Sequence, residues 1–147
     1  MKVRPAALII ENEKILTMRY RYGSTDVYAL PGGNPDPGES LTEALQRELR
    51  EELGVATEVQ EMVLCGEVLL GGSPKDTLHT IFRARLLGGT PGLDPEHTTA
   101  LELVWVPRAE LGTRRMYPHV GKYLQRYLEG NLPMLYLGPI AQPYVAE

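Results

Sequence analysis

Residues 33–55, GNPDPGESLTEALQRELREELGV, constrain this chain more than any other stretch, because they join a Gly/Pro-rich loop to one helix dense in glutamate and arginine. The helix ends are legible in the residues. Ser40 followed by Glu43 is a capping box, in which hydroxyl and carboxylate satisfy amide donors that the helix cannot use. Gly54 can take the left-handed conformation that closes a helix. About thirteen residues separate the two signals, an ordinary length for a globular helix.

At about 100° per residue, Leu41, Ala44, Leu45 and Leu49 share one broad face, and Arg50 points away from it. Glu48 and Glu52 project toward the apolar side, one helical turn apart, with Glu51 at the edge of the same sector. Like charges at that spacing repel, and leucine neighbours make ionisation costlier. A bound cation would resolve the conflict. Mg²⁺ suits such a site, since it takes carboxylate oxygens, keeps several waters and completes its shell with substrate phosphate. Arg47, one turn from both Glu43 and Glu51, can orient a carboxylate.

The segment resembles the Nudix box: Gly, five residues, Glu, seven residues, Arg-Glu-apolar, one residue, Glu-Glu, one residue, Gly-apolar. Gly33, Glu39, Arg47, Glu48, Leu49, Glu51, Glu52, Gly54 and Val55 meet every required position, which is far more specific than a lone Gly-rich triplet. The resemblance implies an α/β/α sandwich around a mixed, curved sheet. It also implies hydrolysis of a phosphoanhydride in a nucleoside diphosphate derivative, with Mg²⁺ or Mn²⁺ as cofactor. By position in the box, Glu48 and Glu52 would be metal ligands, with Glu51 a third or one acting through water, and the Gly33 carbonyl a backbone ligand. Glu39 and Arg47 would support the loop and helix. Glu102, three residues before Trp105, resembles a late acidic position used as ligand or base, and Glu96 is a weaker candidate.

The rest of the chain is compatible with that expectation. At 147 residues it suits a single domain over residues 1–130, followed by an extended apolar tail, 131–147. A formal net charge of −4 and no basic run give no footprint for polymeric nucleic acid. No segment approaches the roughly twenty apolar residues of a membrane span, and MKVRP lacks a signal peptide's apolar core, so a cytoplasmic location is expected. The single cysteine, Cys65, allows neither an intrachain disulfide nor a thiolate cluster. Strand-like runs occur at 3–10, 14–20, 27–30, 58–70, 76–87 and 101–106, with a second helix over 120–128. Leu132, Met134, Leu135, Tyr136, Leu137 and Ile140 in the tail imply cover by the chain's own core or by a second copy, and a homodimer is the expectation.

Substrate contacts are expected from Arg19-Tyr20-Arg21-Tyr22, where a strand would put both guanidinium groups on one face and both rings on the other. Arg19 or Arg21 would grip phosphate, and Tyr22 or Tyr28 would stack on a base. His79, His97 and His119 lack ligand spacing and read as structural or surface residues. Within the resemblance, Pro74 falls later than the proline of ADP-ribose-preferring relatives. No tyrosine lies between Val55 and Leu87, where relatives acting on dinucleoside polyphosphates carry one. A nucleoside or deoxynucleoside triphosphate is therefore the expected substrate, with ADP-ribose or a nucleotide sugar as the alternative. A module that only senses nucleotides is disfavoured by the complete glutamate set. An isomerase acting on prenyl diphosphates is disfavoured because no motif accompanies Cys65. An EF-hand is disfavoured by the prolines in Asn34–Gly38.

Overall fold

A computed structural model describes residues 1–143 of the chain. In order, the elements are β1 (Lys2–Leu8), β2 (Ile10–Glu11), β3 (Lys14–Tyr22), β4 (Thr25–Ala29), α1 (Leu41–Leu53), β5 (Ala56–Val68), β6 (Thr77–Gly88), β7 (Glu102–Pro107), a 3₁₀ turn (Arg108–Thr113), α2 (Gly121–Leu128) and β8 (Tyr136–Pro139). They form two four-stranded sheets. One has the order β1-β6-β5-β8, with β1 parallel to β6, β5 antiparallel to β6 and β8 parallel to β5. In the other, β3 is central and antiparallel to β2, β4 and β7.

Alternation along the strands shows why the sheets are covered on both sides. Ala6, Leu8 and Ile81 join Val106, Leu111, Val120 and Leu124 in one core cluster, while Ala7, Ile9, Phe82 and Ala84 join Leu45, Leu49 and Leu53 of α1 in another. The result is an α/β/α sandwich. Each fully buried leucine of α1 contributes about 2 kcal/mol by leaving water. The helix itself begins at Ser40, whose side chain accepts from Glu43 N, and ends at Gly54 with φ 67°.

Two segments depart from the sequence reading. The first strand does not run unbroken to Ile10: Asn12 and Glu13 take φ of 52° and 62°, making a two-residue hairpin that pairs Ile10–Glu11 with β3 instead. In the tail, Tyr136–Pro139 pairs as a strand beside β5, although Pro133, Gly138 and Pro139 obscure any strand pattern. Residues 144–147 of the tail lie outside the described residues. Among those described, no helix is long and apolar enough to cross a membrane.

The loop entering α1 is seated by β1. Ala7 N donates to Pro31 O at 2.8 Å and Gly33 N to Pro5 O at 3.2 Å. At Gly32 a Cβ would overlap the Pro5 carbonyl oxygen, so only glycine permits this backbone-to-backbone approach.

Candidate metal and phosphate site

Gly33, delivered by that pairing, abuts the later turns of α1. A Cβ on Gly33 would overlap the Glu48 carboxyl group, so the missing side chain is what admits the carboxylate to this stretch of backbone. Glu48 in turn hydrogen-bonds Glu52, one turn along the helix. Glu52 is only 8% exposed. Burial, then the neighbouring Glu48, pushes its pKa up to about 8, so without a cation the pair holds one proton near neutrality.

Arg47 organises the opposite flank. Its Nε and Nη2 form a fork on Glu39 at 2.7 and 2.9 Å, Nη1 reaches Glu48 and Glu51 at 3.1 Å each, and Nη2 donates to the Asn34 carbonyl at 3.1 Å. Glu39 also accepts from Asp36 N at 2.7 Å, which closes the loop onto the helix. Arg47 first, and then that amide, hold the Glu39 pKa below its ordinary value. Lysine cannot reproduce the fork. Arg47→Lys is expected to lower kcat/KM roughly tenfold to a hundredfold and to weaken Mg²⁺ dependence in parallel, checked by activity across a metal titration.

The structure thus brings Gly33, Glu39, Arg47, Glu48, Glu51 and Glu52 into one constellation, but their carboxylates are not all turned to one point. Glu51 is drawn to Arg47. Accordingly, among the described residues no three His, Cys, Asp or Glu side chains converge as a ready-made metal cluster. The two-carboxylate pair still fits Mg²⁺ or Mn²⁺, because such an ion needs only one or two protein carboxylates when phosphate and water complete the shell. A proton-sharing pair with one buried carboxylate is also the chemistry that a divalent ion relieves.

The other expected residues lie on the second sheet. Arg19 and Arg21 share a face, as alternation requires, yet both contact Asp26, at 3.3 and 2.8 Å, and Arg19 also pairs with Glu102 at 3.2 Å. Glu102 is thus engaged by Arg19. Tyr20 and Tyr22 stack with planes 5° apart, and Tyr28 lies beneath the Arg114 guanidinium, 5.2 Å from the ring centroid.

Three features escaped the sequence reading. Arg4 of β1 acts electrostatically on Glu52 and Tyr20, placing a cation toward the carboxylate pair. His97 Nδ1 donates to the Asp94 carboxylate at 2.9 Å. That pairing raises the His97 pKa, with a smaller contribution from Glu51. Its loop is docked on the end of α1 by Gly92 N to Leu53 O and Asp94 N to Glu52 O, and Glu96 N is held by Asp94. His79 is buried, the structural rather than the surface alternative, and its neighbours were not visible in sequence. Only the i,i+3 spacing of Asp94 and His97 was visible in sequence; Arg4 and His79 gain their neighbours through β1–β6 pairing.

With this fold and site in place, comparison with known proteins is decisive at the family level. The NUDIX domain profile matches residues 1–127, and the chain belongs to that family. Human 8-oxo-dGDP phosphatase NUDT18 is 30% identical over 104 residues, which cover 70% of this chain and 31% of that protein. The chain therefore spans less than a third of that relative's length. Nucleoside triphosphatase NudI of Enterobacter sp. (strain 638) is 56% identical over a shorter 32 residues, 22% of this chain and 23% of that protein. The solution structure of the E. coli ORF135 protein superposes with a TM-score of 0.69 at 26% identity, covering 88% of this chain and 89% of that one.

Proposed function

We propose that this chain is a Mg²⁺- or Mn²⁺-dependent pyrophosphohydrolase acting on a nucleoside or deoxynucleoside triphosphate. The observation that carries the reading is the pairing of half-buried Glu48 with buried Glu52, set against the Gly33 backbone. A divalent ion held there would supply charge neutralisation for phosphate oxygens and acidify a water molecule. Glu48 and Glu52 are its ligands in this reading. Arg4, whose charge is felt at Glu52, offsets phosphate charge in this reading. Glu51, once released from Arg47, accepts the water's proton; Glu102 is the alternative base and must first leave Arg19.

Part of the specificity is assigned to the second sheet. Tyr22, the more exposed ring of the Tyr20–Tyr22 stack, offers a platform for a base. Arg19 and Arg21 grip phosphate only by exchanging Asp26 for it, so Tyr28 and these arginines are assigned to substrate preference rather than to metal affinity. The names of NUDT18 and NudI support a nucleotide substrate. Phosphate and pyrophosphate release across a panel of nucleoside triphosphates, ADP-ribose and nucleotide sugars, with each ion and with chelator, tests the reading. Turnover of none of them, or turnover unaffected by chelator, would overturn it.

A homodimer is part of the proposal. Met134, Leu135 and Tyr136 stay exposed along the tail although Ile140 is buried, and β8 has a free outer edge among the described residues. Sedimentation velocity at micromolar protein is expected to show a dimer; monomer alone would remove this element.

A further inference from the structure

His79 of β6 stands beside Arg4 on β1 and Gly66 on β5. It is 2% exposed, and neither ring nitrogen has a hydrogen-bond partner. Burial, followed by the positive charge of Arg4, pushes its pKa down to about 4, so the ring is neutral at physiological pH. A neutral imidazole carries one N–H donor and one acceptor. Leaving both buried and unmade is costly, and native interiors rarely tolerate it without a role for the group.

The surroundings point to a ligand-binding wall. Tyr117 meets the His79 ring edge-on, with centroids 5.6 Å apart and planes at 84°. Tyr117 N donates to Tyr28 O at 3.0 Å, tying this residue to the strand that leads into the metal loop. Arg4, the β1 register partner of His79, acts electrostatically on both His79 and Glu52, so its charge is felt at the imidazole and at the carboxylate pair alike. The segment beyond the family match closes the other side. Ile140 N donates to Glu67 O at 2.7 Å, and Gln142 clamps the Tyr117 segment by accepting from His119 N at 2.7 Å and donating to Met116 O at 3.1 Å. Gly66, opposite His79, has no room for a side chain because Gly138 and Ile140 pack against it.

We propose that His79 is a specificity residue that hydrogen-bonds the uncharged polar edge of the substrate's heteroaromatic base, in a subsite walled by Tyr117 and the C-terminal segment 136–142. This rests on the nucleotide reading above. A neutral ring adds no attraction for phosphate, whereas a base edge offers an adjacent donor and acceptor that match its two nitrogens. Tyr117, half-buried on an irregular segment, is the side chain that must turn aside for a base to reach the imidazole. The Tyr117 ring then supplies an aromatic surface for it.

The first test follows the His79 imidazole by ¹⁵N NMR in histidine-labelled, metal-free protein. Nucleoside 5′-monophosphates are expected to shift its ring nitrogens, and ribose 5-phosphate is not. No shift with any nucleotide, or equal shifts with ribose 5-phosphate, would overturn the proposal and leave a buried water as the partner. This readout needs no turnover, so its failure is distinct from failure of the hydrolase reading. The second test compares kcat/KM for nucleoside triphosphates with that for ribose 5-triphosphate. His79→Leu is expected to narrow that preference at least about tenfold, mainly through KM, and His79→Asn to restore part of it. An equal loss on both probes, or an unchanged preference in folded protein, would overturn it.

Discussion

Glu52→Gln is expected to lower nucleotide hydrolysis at least about a hundredfold, and Glu48→Gln by a similar factor, because each removes half of the carboxylate pair that would hold the cation. Neither should unfold the protein. In the folded, metal-free chain the Glu52 pKa is raised from 4.5 to about 8, so the native state holds a proton that the unfolded state releases. The stability this confers is fully present below about pH 4.5 and is lost as pH rises through about 8. Thermal unfolding with chelator should therefore show Tm declining across that interval. Glu52→Gln should flatten the decline and raise Tm at pH 8, since an amide has no proton to lose and no charge to bury. Full turnover in either folded variant would remove the proposed metal site; a wild-type Tm that does not decline would remove the proton-sharing pair.

Gly33→Ala and Gly32→Ala should fail in different ways, although the residues are adjacent. At Gly33 the added methyl meets the Glu48 carboxyl group, the far end of a flexible side chain, which can move away. The fold should survive, with hydrolysis reduced about a hundredfold because Glu48 leaves its position beside Glu52. At Gly32 the methyl meets the Pro5 carbonyl oxygen and Ala6 Cα, backbone atoms fixed by the β1–β6 ladder. Overpacking there costs about 1–3 kcal/mol, lowering Tm by roughly 3–12 °C. Circular dichroism melts and kinetics on both variants separate the outcomes. Equal loss of Tm in the two would contradict the distinction between movable side chain and fixed backbone.

The amino-acid sequence by itself determined α1, because the capping box, the 3.6-residue periodicity and the closing glycine act within a few residues of one another. It also determined that Glu48 and Glu52 would face the same sector, since that follows from helical geometry alone. The Arg19–Tyr22 alternation was fixed equally locally, and the stacked rings show it. What those side chains do was decided elsewhere. Asp26 on the paired strand competes for both arginines. Glu51 could face metal or Arg47 from the same backbone position, and the ion pair selected the latter. Asn12 and Glu13 in left-handed conformation moved Ile10 from one sheet to the other, which hydrophobic alternation cannot anticipate.

Only the tertiary structure brought Arg4 to Glu52, His79 to Tyr117 and Gln142 to Met116, across separations in the chain that no local pattern spans. Parallel pairing is the physical reason. β1 meets β6, and β5 meets β8, through crossovers whose ends share no turn and no register signal in the sequence. The helix that carries the carboxylates is written in local spacing. The cleft that would receive a substrate is written in the order in which distant strands lie side by side.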